Sequence, residues 1–269
     1  MSTTQSYSES LQGKVALITG STSGIGLATA HVLAKQGVNL VLHGLLEKIE
    51  GDNLAKQFAD DYGVKVVFDD ANLKCSTSIS ELINNALTSM GSIDILVNNA
   101  GIQYTETIAN FPEQKWDDII AINLTAAFHT IQKSLPSMQK NGWGRIINVA
   151  SVHGLVASVN KAAYVSAKHG IVGLTKVVAL ECAEQGITVN AICPGWVDTP
   201  LIKEQIKQIA ERDQVSESEA RYKLITAKQP LPDMATPTQI GEFIAFLCSE
   251  SACGITGSAL PIDGAWTAQ

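Results

Sequence analysis

The chain alternates short apolar runs with longer segments in which apolar residues recur at helical spacing. The apolar runs predict strands at residues 15–19, 39–42, 64–68, 93–98, 145–150, 188–193 and 258–262. Helical spacing is clearest at residues 25–36, 52–62, 78–90, 114–140 and 162–185. Continuous apolar strands separated by helices are typical of a parallel sheet that is covered on both faces. The pattern predicts an α/β fold, with a single doubly wound domain of about seven parallel strands over residues 11–269 and a flexible tail at residues 1–10.

One segment, residues 199–234, departs from this alternation, because it inserts a stretch rich in Lys, Glu and Gln after the sixth strand. One side of a predicted helix within it carries Leu201, Ile202, Gln205, Ile206 and Ile209. The next helix begins with a capping-box pattern from Thr236 to Gln239. Long insertions at strand ends of α/β folds are often functional, so we predict a helical substrate lid here, with a static surface excursion as the alternative.

Composition and charge narrow the class of protein. The 269 residues are 45% hydrophobic and 17% charged, which excludes intrinsic disorder and allows a full core. Nineteen Lys and Arg against 26 Asp and Glu give a net charge of -7, so the basic excess that anchors nucleic-acid binders is missing. The first ten residues lack the features of a secretory signal, and no stretch is suited to span a membrane. Five scattered cysteines favour reduced thiols over a metal site. We expect a cytoplasmic protein with a small-molecule partner.

A glycine-rich turn directly follows the first predicted strand. Residues 20–26 read Gly-Ser-Thr-Ser-Gly-Ile-Gly, and a predicted helix starts within this turn. Glycines let the backbone bend sharply and approach a pyrophosphate, whose charge is met by free N–H groups at the helix N-terminus. Three residues separate the first two glycines, whereas the usual dinucleotide fingerprint has one. By itself the turn favours a nucleotide site over a tight structural turn.

Further motifs follow the later strands. They are Asn98-Asn-Ala-Gly101, Asn123, Ser151, Tyr164-Val-Ser-Ala-Lys168 and Pro194-Gly195. Together with the glycine-rich turn, these motifs resemble those of the short-chain dehydrogenase/reductase family, in order and in spacing, over roughly residues 11–269. The resemblance implies a Rossmann-type fold, a nicotinamide dinucleotide cofactor and a hydride-transfer reaction.

Tyr164 and Lys168 lie four residues apart on a predicted helix, so their side chains share one face. An ammonium about 4 Å from a phenolate, at an effective dielectric near 20, is worth roughly 4 kcal/mol, or about three pKa units, before desolvation offsets part of it. We therefore expect the pKa of Tyr164 to fall toward neutrality, where general acid/base catalysis is efficient. The structural alternative is a surface tyrosine beside an unrelated lysine.

The resemblance assigns roles to the other motif residues. It implies that Ser151 hydrogen-bonds the substrate oxygen, that Lys168 also holds the nicotinamide ribose, and that Asn123 supports a water chain from Lys168 to solvent. It implies cofactor contacts at Gly20, Thr22, Ser23, Gly24, Ile25, Gly26, Asn72, Leu73, Asn99, Gly101, Tyr164, Lys168, Pro194, Val197 and Thr199. Asn72 stands where many relatives have Asp, and its amide still donates and accepts hydrogen bonds.

The end of the second strand bears on the choice of dinucleotide. NAD enzymes of the family often place an acid there to bind the ribose 2′-OH, and here the sequence reads His43-Gly-Leu-Leu46. This segment has no acid, but it also has no Arg or Lys that would pair with a 2′-phosphate. We therefore predict NAD as the cofactor.

A second set of sequence features consists of Gly101-Ile-Gln103, Ser151-Val-His153-Gly154, Lys161, Pro194-Gly-Trp196, Gln205 and the final residues Asp263-Gly-Ala-Trp266-Thr-Ala-Gln269. These features resemble those of a bacterial branch of the family that oxidises D-3-hydroxybutyrate to acetoacetate. This resemblance implies a substrate site made of Gln103, Ser151, His153, Lys161, Tyr164, Trp196, Gln205 and Trp266. Four of these, Gln103, His153, Lys161 and Gln205, would bind the carboxylate, and the two tryptophans would bound the methyl end. A carboxylate is the strongest handle on a small hydroxyacid, so one cation with three polar donors is a reasonable clamp. The family also implies a homotetramer.

Two competing functions follow from the same motifs. The first is another short-chain reductase, which would act on a 3-oxoacyl thioester, a sugar or a polyol. A net charge of -7 disfavours the acyl-carrier thioester, because that partner calls for a basic patch. The second is a non-catalytic nucleotide sensor, which the complete set of Asn123, Ser151, Tyr164 and Lys168 disfavours.

Overall fold

The computed structural model describes residues 11–268, except for the side chain of Leu201. Its strands are β1 (Val15–Ile18), β2 (Asn39–His43), β3 (Val66–Asp69), β4 (Ile95–Asn98), β5 (Gly144–Val149), β6 (Ile187–Pro194) and β7 (Ala259–Ile262). They form one sheet in the order β3-β2-β1-β4-β5-β6-β7, and every neighbouring pair is parallel. The predicted parallel, doubly wound sheet is confirmed. The predicted tail at residues 1–10 lies outside the described residues.

Helices cover both faces of the sheet. They are α1 (Gly24–Lys35), α2 (Lys48–Tyr62), α3 (Ser76–Met90), α4 (Glu113–Ile120), α5 (Ala126–Asn141), α6 (Ala162–Cys182), α7 (Pro200–Asp213), α8 (Glu217–Thr226) and α9 (Pro237–Cys248). Successive strand residues point to opposite faces. Ala16 and Ile18 of β1 pack in one hydrophobic cluster with α1, α2 and α9, whereas Val15 and Leu17 pack in a second cluster with α3, α5 and α6.

The strand order reverses at β1, which pairs with β2 on one side and with β4 on the other. Loops leaving the carboxyl ends of β1 and β4 therefore diverge, and a crevice opens between them. Ligands of doubly wound sheets bind in such a crevice. The topology places the ends of β1, β2, β4, β5 and β6 along the same edge.

The predicted helix at residues 114–140 is interrupted. A π-helical turn at residues 121–125 separates α4 from α5, and it contains the buried Asn123. Such turns insert one extra residue into a helix and are frequent at functional sites. Helical periodicity does not reveal an insertion of this kind, because the apolar pattern on either side is nearly unchanged.

The insertion at residues 199–234 contains two helices, α7 and α8, of which the sequence pattern predicted only the first. Its two ends are joined by backbone bonds, since Ala235 N–H donates to Trp196 O (3.0 Å) and Asp198 N–H donates to Ala235 O (2.9 Å). Ile206 and Ala210 of α7 pack against Ala220 and Ile225 of α8. The insertion is thus a helical hairpin that leaves and rejoins the fold at one point.

No helix within residues 11–268 is long and apolar enough to cross a membrane.

Candidate active site

The glycine-rich turn brings the N-terminus of α1 to the crevice. Gly20 (φ 65°) and Gly24 (φ 54°) adopt the left-handed backbone conformation that favours glycine. Gly26 lies behind the turn, where an added Cβ would overlap the carbonyl oxygen of Gly20 and approach Asn99 Nδ2 to 2.5 Å. Because Gly26 has no side chain, α1 packs directly on the turn and its free N–H groups point toward the crevice. This backbone arrangement fits the pyrophosphate of a dinucleotide.

Asn99 supports the turn from the neighbouring strand. Its Nδ2 donates to Thr19 O (2.9 Å) and to Gly20 O (3.0 Å). In return, Thr19 Oγ1 accepts from Asn99 N–H (3.0 Å) and from Ala100 N–H (3.1 Å). The carboxyl ends of β1 and β4 are therefore held together by four hydrogen bonds, without any charged group.

The crevice widens into a cleft of about 650 Å³, within the usual size range of cofactor sites. The predicted cofactor residues that line it are Gly20, Thr22, Ser23, Gly24, Ile25, Asn72, Leu73, Asn99, Gly101, Tyr164, Lys168, Pro194, Val197 and Thr199. Gly26 is the predicted cofactor residue that does not line the cleft, because it packs behind the turn. The size of the cleft and its glycine-rich edge fit a bound dinucleotide.

One end of the cleft lies beside the end of β2, where there is no room for a side chain at residue 44. A Cβ on Gly44 would overlap Thr22 Cγ2 and lie 2.7 Å from Thr22 Oγ1. The next side chain, Leu45, is apolar and 82% exposed. Lys74 also lines the cleft, but its ammonium pairs with Asp118 Oδ1 at 2.8 Å.

Ser151, Tyr164 and Lys168 meet at the other end of the cleft. Ser151 follows β5, while α6 presents Tyr164 and Lys168 one turn apart. Ser151 hydrogen-bonds Tyr164, and Lys168 Nζ lies 5.6 Å from the centre of the Tyr164 ring. Lys168 Nζ also donates to Val149 O (2.7 Å), so its ammonium is fixed against β5.

Burial determines how both groups titrate. It raises the pKa of Tyr164, and the hydrogen bond from Ser151 offsets only part of this effect. Burial also lowers the pKa of Lys168 to about 8. The expected fall in the pKa of Tyr164 is therefore wrong for this arrangement. The pKa is raised because the phenol is withdrawn from water, while the Lys168 ammonium donates to a backbone carbonyl.

Asn123 fixes the loop that follows β4. Its Oδ1 accepts from Ile102 N–H and its Nδ2 donates to Ile102 O, both at 2.9 Å. A small cavity of about 10 Å³ lies between Asn123 and Lys168, with Thr19, Asn98 and Thr130 among its lining residues. A polar cavity of this size is about large enough for one water molecule.

The predicted carboxylate ligands are gathered only in part. Lys161 Nζ donates to Gln103 Oε1 (3.3 Å), which joins the start of α6 to the loop after β4. His153 is buried, and its Nδ1 lies 3.4 Å from Ser151 Oγ while its Nε2 lies 2.9 Å from Ser158 Oγ. Gln205 is half-buried on α7, and no hydrogen bond among the described residues links it to this group.

Burial, together with the smaller effect of the charges of Lys161 and Lys228, lowers the pKa of His153 to about 4. The ring is therefore neutral at neutral pH. Burial also lowers the pKa of Lys161.

His153, Trp196 and Trp266 form an aromatic cluster beside Tyr164. The His153 ring lies 5.9 Å from Tyr164 and 5.6 Å from Trp266, and the two tryptophan rings are 5.6 Å apart. Asp263 holds the C-terminal turn by accepting from Ala265 N–H (3.1 Å) and Thr267 N–H (2.9 Å). Trp266 therefore lies against residues of its own chain.

Two features of this region were missed by the sequence interpretation. The helix α8 begins at a cap in which Ser216 Oγ accepts from Glu219 N–H (3.2 Å). The spacing of Ser216 and Glu219 is a capping-box signal that predicts a helix start. The second feature is His43, which lines the cleft with a buried side chain and carries no motif signal.

Comparisons with known proteins agree with this geometry. The profile of the short chain dehydrogenase family matches residues 14–210. The chain is 48% identical over 260 residues to a D-beta-hydroxybutyrate dehydrogenase of Cupriavidus necator, which covers 96% of this chain and 100% of that protein. A D-beta-hydroxybutyrate dehydrogenase of Rhizobium meliloti is 47% identical over 256 residues, or 95% of this chain and 99% of the relative. The solved structure of L-sorbose reductase from Gluconobacter frateurii, in complex with NADPH and L-sorbose, superposes with a TM-score of 0.91 at 30% identity, covering 96% of this chain and 97% of the other.

The close packing at Gly26 predicts that Gly26→Ala weakens dinucleotide binding at least tenfold, about 1.4 kcal/mol, because the turn must move away from α1. Calorimetric titration with NAD and with NADP measures the effect. Gly254→Ala is the control, since an added Cβ there meets nothing within 4 Å. Unchanged affinity in the folded Gly26→Ala protein contradicts this account of the turn.

Proposed function

This chain belongs to the short-chain dehydrogenase family, and from that membership we propose that it reversibly oxidises D-3-hydroxybutyrate to acetoacetate with NAD. The coarser activity, a dehydrogenase that uses a nicotinamide dinucleotide, follows from the family. The finer proposal rests on the Lys161–Gln103 pair, which places a cation at the start of α6. The buried, neutral His153, whose ring lies 5.9 Å from that of Tyr164, adds a polar group to the same region. The names of the two bacterial relatives support it.

In the proposed reaction, Tyr164 is the general acid/base. Ser151 holds the substrate oxygen by a hydrogen bond, and during oxidation Tyr164 accepts the substrate proton as it passes its own phenol proton toward the neutral form of Lys168. A bound nicotinamide dinucleotide supplies the hydride acceptor. Lys168 lies one helical turn from Tyr164, and a pKa of about 8 lets it exchange protons near neutral pH. The polar cavity between Lys168 and Asn123 supports a water-mediated route for that proton.

We propose that Lys161 binds the substrate carboxylate, oriented by its bond to Gln103. The neutral His153 contributes a hydrogen-bond donor rather than a second charge. A partly buried cation is less well hydrated, so its bond to a carboxylate is stronger than at an exposed site. Gln205 has no hydrogen bond to this group among the described residues, and we propose that a movement of α7 brings it there. The joined base of residues 199–234 supports the proposed role of that hairpin as a lid.

The aromatic cluster limits the size of the proposed substrate. Trp196 and Trp266 pack on each other and on His153, and Trp266 is only 9% exposed. Close-packed aromatic rings leave no space for added methylenes unless they are displaced. This supports a four-carbon acid over a long acyl thioester.

The proposed homotetramer has apolar surface available. Phe128 of α5 and Val177 and Leu180 of α6 are exposed at 44%, 53% and 81%. Exposed apolar side chains grouped on neighbouring helices are typical of subunit contacts.

Replacing Tyr164 with Phe should lower kcat by about 10²-fold or more and leave the dissociation constant for NAD within about twofold, because only the transferable proton is removed. Steady-state kinetics and calorimetric titration measure the two quantities. Tyr62→Phe removes a hydroxyl that is hydrogen-bonded to His31 outside the cleft, and it should retain kcat. If Tyr164→Phe keeps more than about a tenth of kcat, the acid/base role belongs to another residue.

NAD should be preferred over NADP at least tenfold in kcat/KM, about 1.4 kcal/mol, because a 2′-phosphate near Gly44 and Leu45 meets no unpaired cation within residues 11–268. The matched variant Leu45→Arg places a guanidinium at this exposed position and should narrow the preference. Equal efficiency of the wild type with both dinucleotides excludes this assignment.

Lys161→Ala should lower kcat/KM for 3-hydroxybutyrate by roughly ten- to a hundredfold, since a charge-assisted hydrogen bond is worth about 1.5–3 kcal/mol. The methyl ester and a longer 3-hydroxyacid should be poor substrates of the wild type. Lys161→Ala should change kcat/KM for the ester only slightly. Lys56→Ala, at an exposed lysine of α2, is the control. The hydroxybutyrate assignment is excluded if the ester is oxidised as fast as the free acid and if wild type and variant oxidise both at equal rates. The dehydrogenase class would still hold in that case.

A further inference from the structure

His43 connects three segments of the nucleotide cleft. It is the last residue of β2 and only 2% exposed. Its ring Nδ1 accepts from Gly20 N–H (3.1 Å), and its Nε2 lies 2.9 Å from Ala71 O. Gly20 belongs to the glycine-rich turn, and Ala71 precedes the predicted cofactor residues Asn72 and Leu73. All of these residues line the cleft.

The backbone of His43 strengthens the same connection. Ser21 N–H donates to His43 O (2.8 Å), and His43 N–H donates to Ser21 Oγ (2.9 Å). His43 is therefore hydrogen-bonded at both ring nitrogens and at its backbone N–H and carbonyl. Such a fully bonded polar side chain fixes the relative position of the segments that it joins.

Both ring bonds require one protonation state. Gly20 N–H is a donor, so Nδ1 must carry a lone pair, while Ala71 O is an acceptor, so Nε2 must carry the proton. The neutral tautomer with hydrogen on Nε2 satisfies both partners. A protonated ring would direct an Nδ1–H at the Gly20 N–H, and this contact would be lost.

We infer that His43 is a positioning residue that holds the glycine-rich turn and the Ala71–Leu73 segment in the dinucleotide-binding shape as long as its ring is neutral. This inference rests on dinucleotide binding by the family fold and not on the proposed substrate. It is not a catalytic role, because the ring acts through Gly20 and Ala71.

The surroundings of the ring keep it neutral at physiological pH. Burial lowers the pKa of His43 below the usual 6.5, and the bond to Ala71 and the charges of Asp69 and Asp70 oppose this effect without reversing it. The glycine-rich turn and β2 present no charged side chain. The unfolded chain takes up this proton before the folded chain does. The contribution of His43 to the free energy of unfolding is therefore constant above about pH 6.5 and falls as the pH drops below that value. Dinucleotide affinity should decrease in the same direction as the folded ring becomes protonated.

The test combines ring titration with binding. In the nucleotide-free protein, nitrogen-15 NMR should show the Nε2–H tautomer of His43 at pH 7, and the Gly20 amide signal should shift as the ring protonates. The dissociation constants for NAD and for NADP, measured by calorimetry at pH values on either side of the ring titration seen by NMR, should rise about three- to tenfold in the wild type as the ring protonates, the range expected for one lost hydrogen bond.

Two variants separate the ring contacts. His43→Asn keeps an acceptor near the Nδ1 position and cannot titrate, so it should bind as the wild type does at pH 7 and lose less affinity at the pH where the wild-type ring is protonated. His43→Gln keeps a donor near Nε2 but no acceptor for Gly20, so it should bind about three- to tenfold more weakly at pH 7. His31→Asn is the control, because His31 is a partly buried histidine with a lowered pKa outside the cleft, bonded to Tyr62.

The inference is overturned by an Nδ1–H tautomer at pH 7, or by a wild-type affinity that is flat across ring protonation. Loss of the pH dependence in His31→Asn also overturns it. If neither dinucleotide binds the wild type at any pH, the cofactor assignment fails instead, and the NMR titration still decides whether the ring holds Gly20.

Discussion

The absence of a side chain at Gly26 is the constraint on which the nucleotide half of the site depends. An added Cβ would overlap the carbonyl of Gly20, so no other residue lets α1 begin so close to the end of β1. This contact directs the free N–H groups of α1 at the crevice and brings Gly20 within reach of Asn99 and His43. Phosphate binding in this fold thus relies on backbone dipoles that are fixed before the ligand arrives, and it needs no lysine or arginine in the turn.

At the reacting end of the cleft, burial is the dominant effect, because it shifts the pKa values of ionisable groups toward their neutral forms. It lowers the pKa of Lys168 to about 8 and that of His153 to about 4, and it raises the pKa of Tyr164. Neutral groups exchange protons and hydrogen bonds without the cost of desolvating an ion. We propose that Lys161, at the rim of the site, is the cation that binds a substrate carboxylate.

The fold could be predicted from the sequence because its elements are local patterns with a strong period. Apolar strands, helical spacing and the capping box from Thr236 to Gln239 all appear in the structure, where Gln239 N–H donates to Thr236 Oγ1 (3.2 Å). Helical spacing likewise predicted that Tyr164 and Lys168 share one helix face, whereas Ser151 was grouped with them through the family resemblance. These features need no knowledge of distant contacts.

The rest depends on contacts between segments far apart in the chain. His43 is a polar residue at the end of an apolar strand, and only its bonds to Gly20 and Ala71 reveal a function. The predicted fall in the pKa of Tyr164 was wrong because helical spacing gives the position of Lys168 but not its bond to Val149 O. Gln205 was grouped with Lys161 from resemblance alone, and α7 leaves it without a bond to that group among the described residues.

The two halves of the site differ in how they are held, and this difference has a functional meaning. The nucleotide half is fixed by hydrogen bonds among β1, β2 and β4. The substrate half combines four separate segments, which are the loop after β4, the start of α6, the base of the α7–α8 hairpin and the C-terminal turn. Trp196 belongs to both the aromatic cluster and the joined base of that hairpin, since its carbonyl accepts from Ala235 N–H. If the hairpin acts as the proposed lid, its displacement would therefore reach the ring that bounds the proposed methyl position. In the proposed function, closure of α7 over a substrate and exclusion of larger acids would then depend on the same side chain.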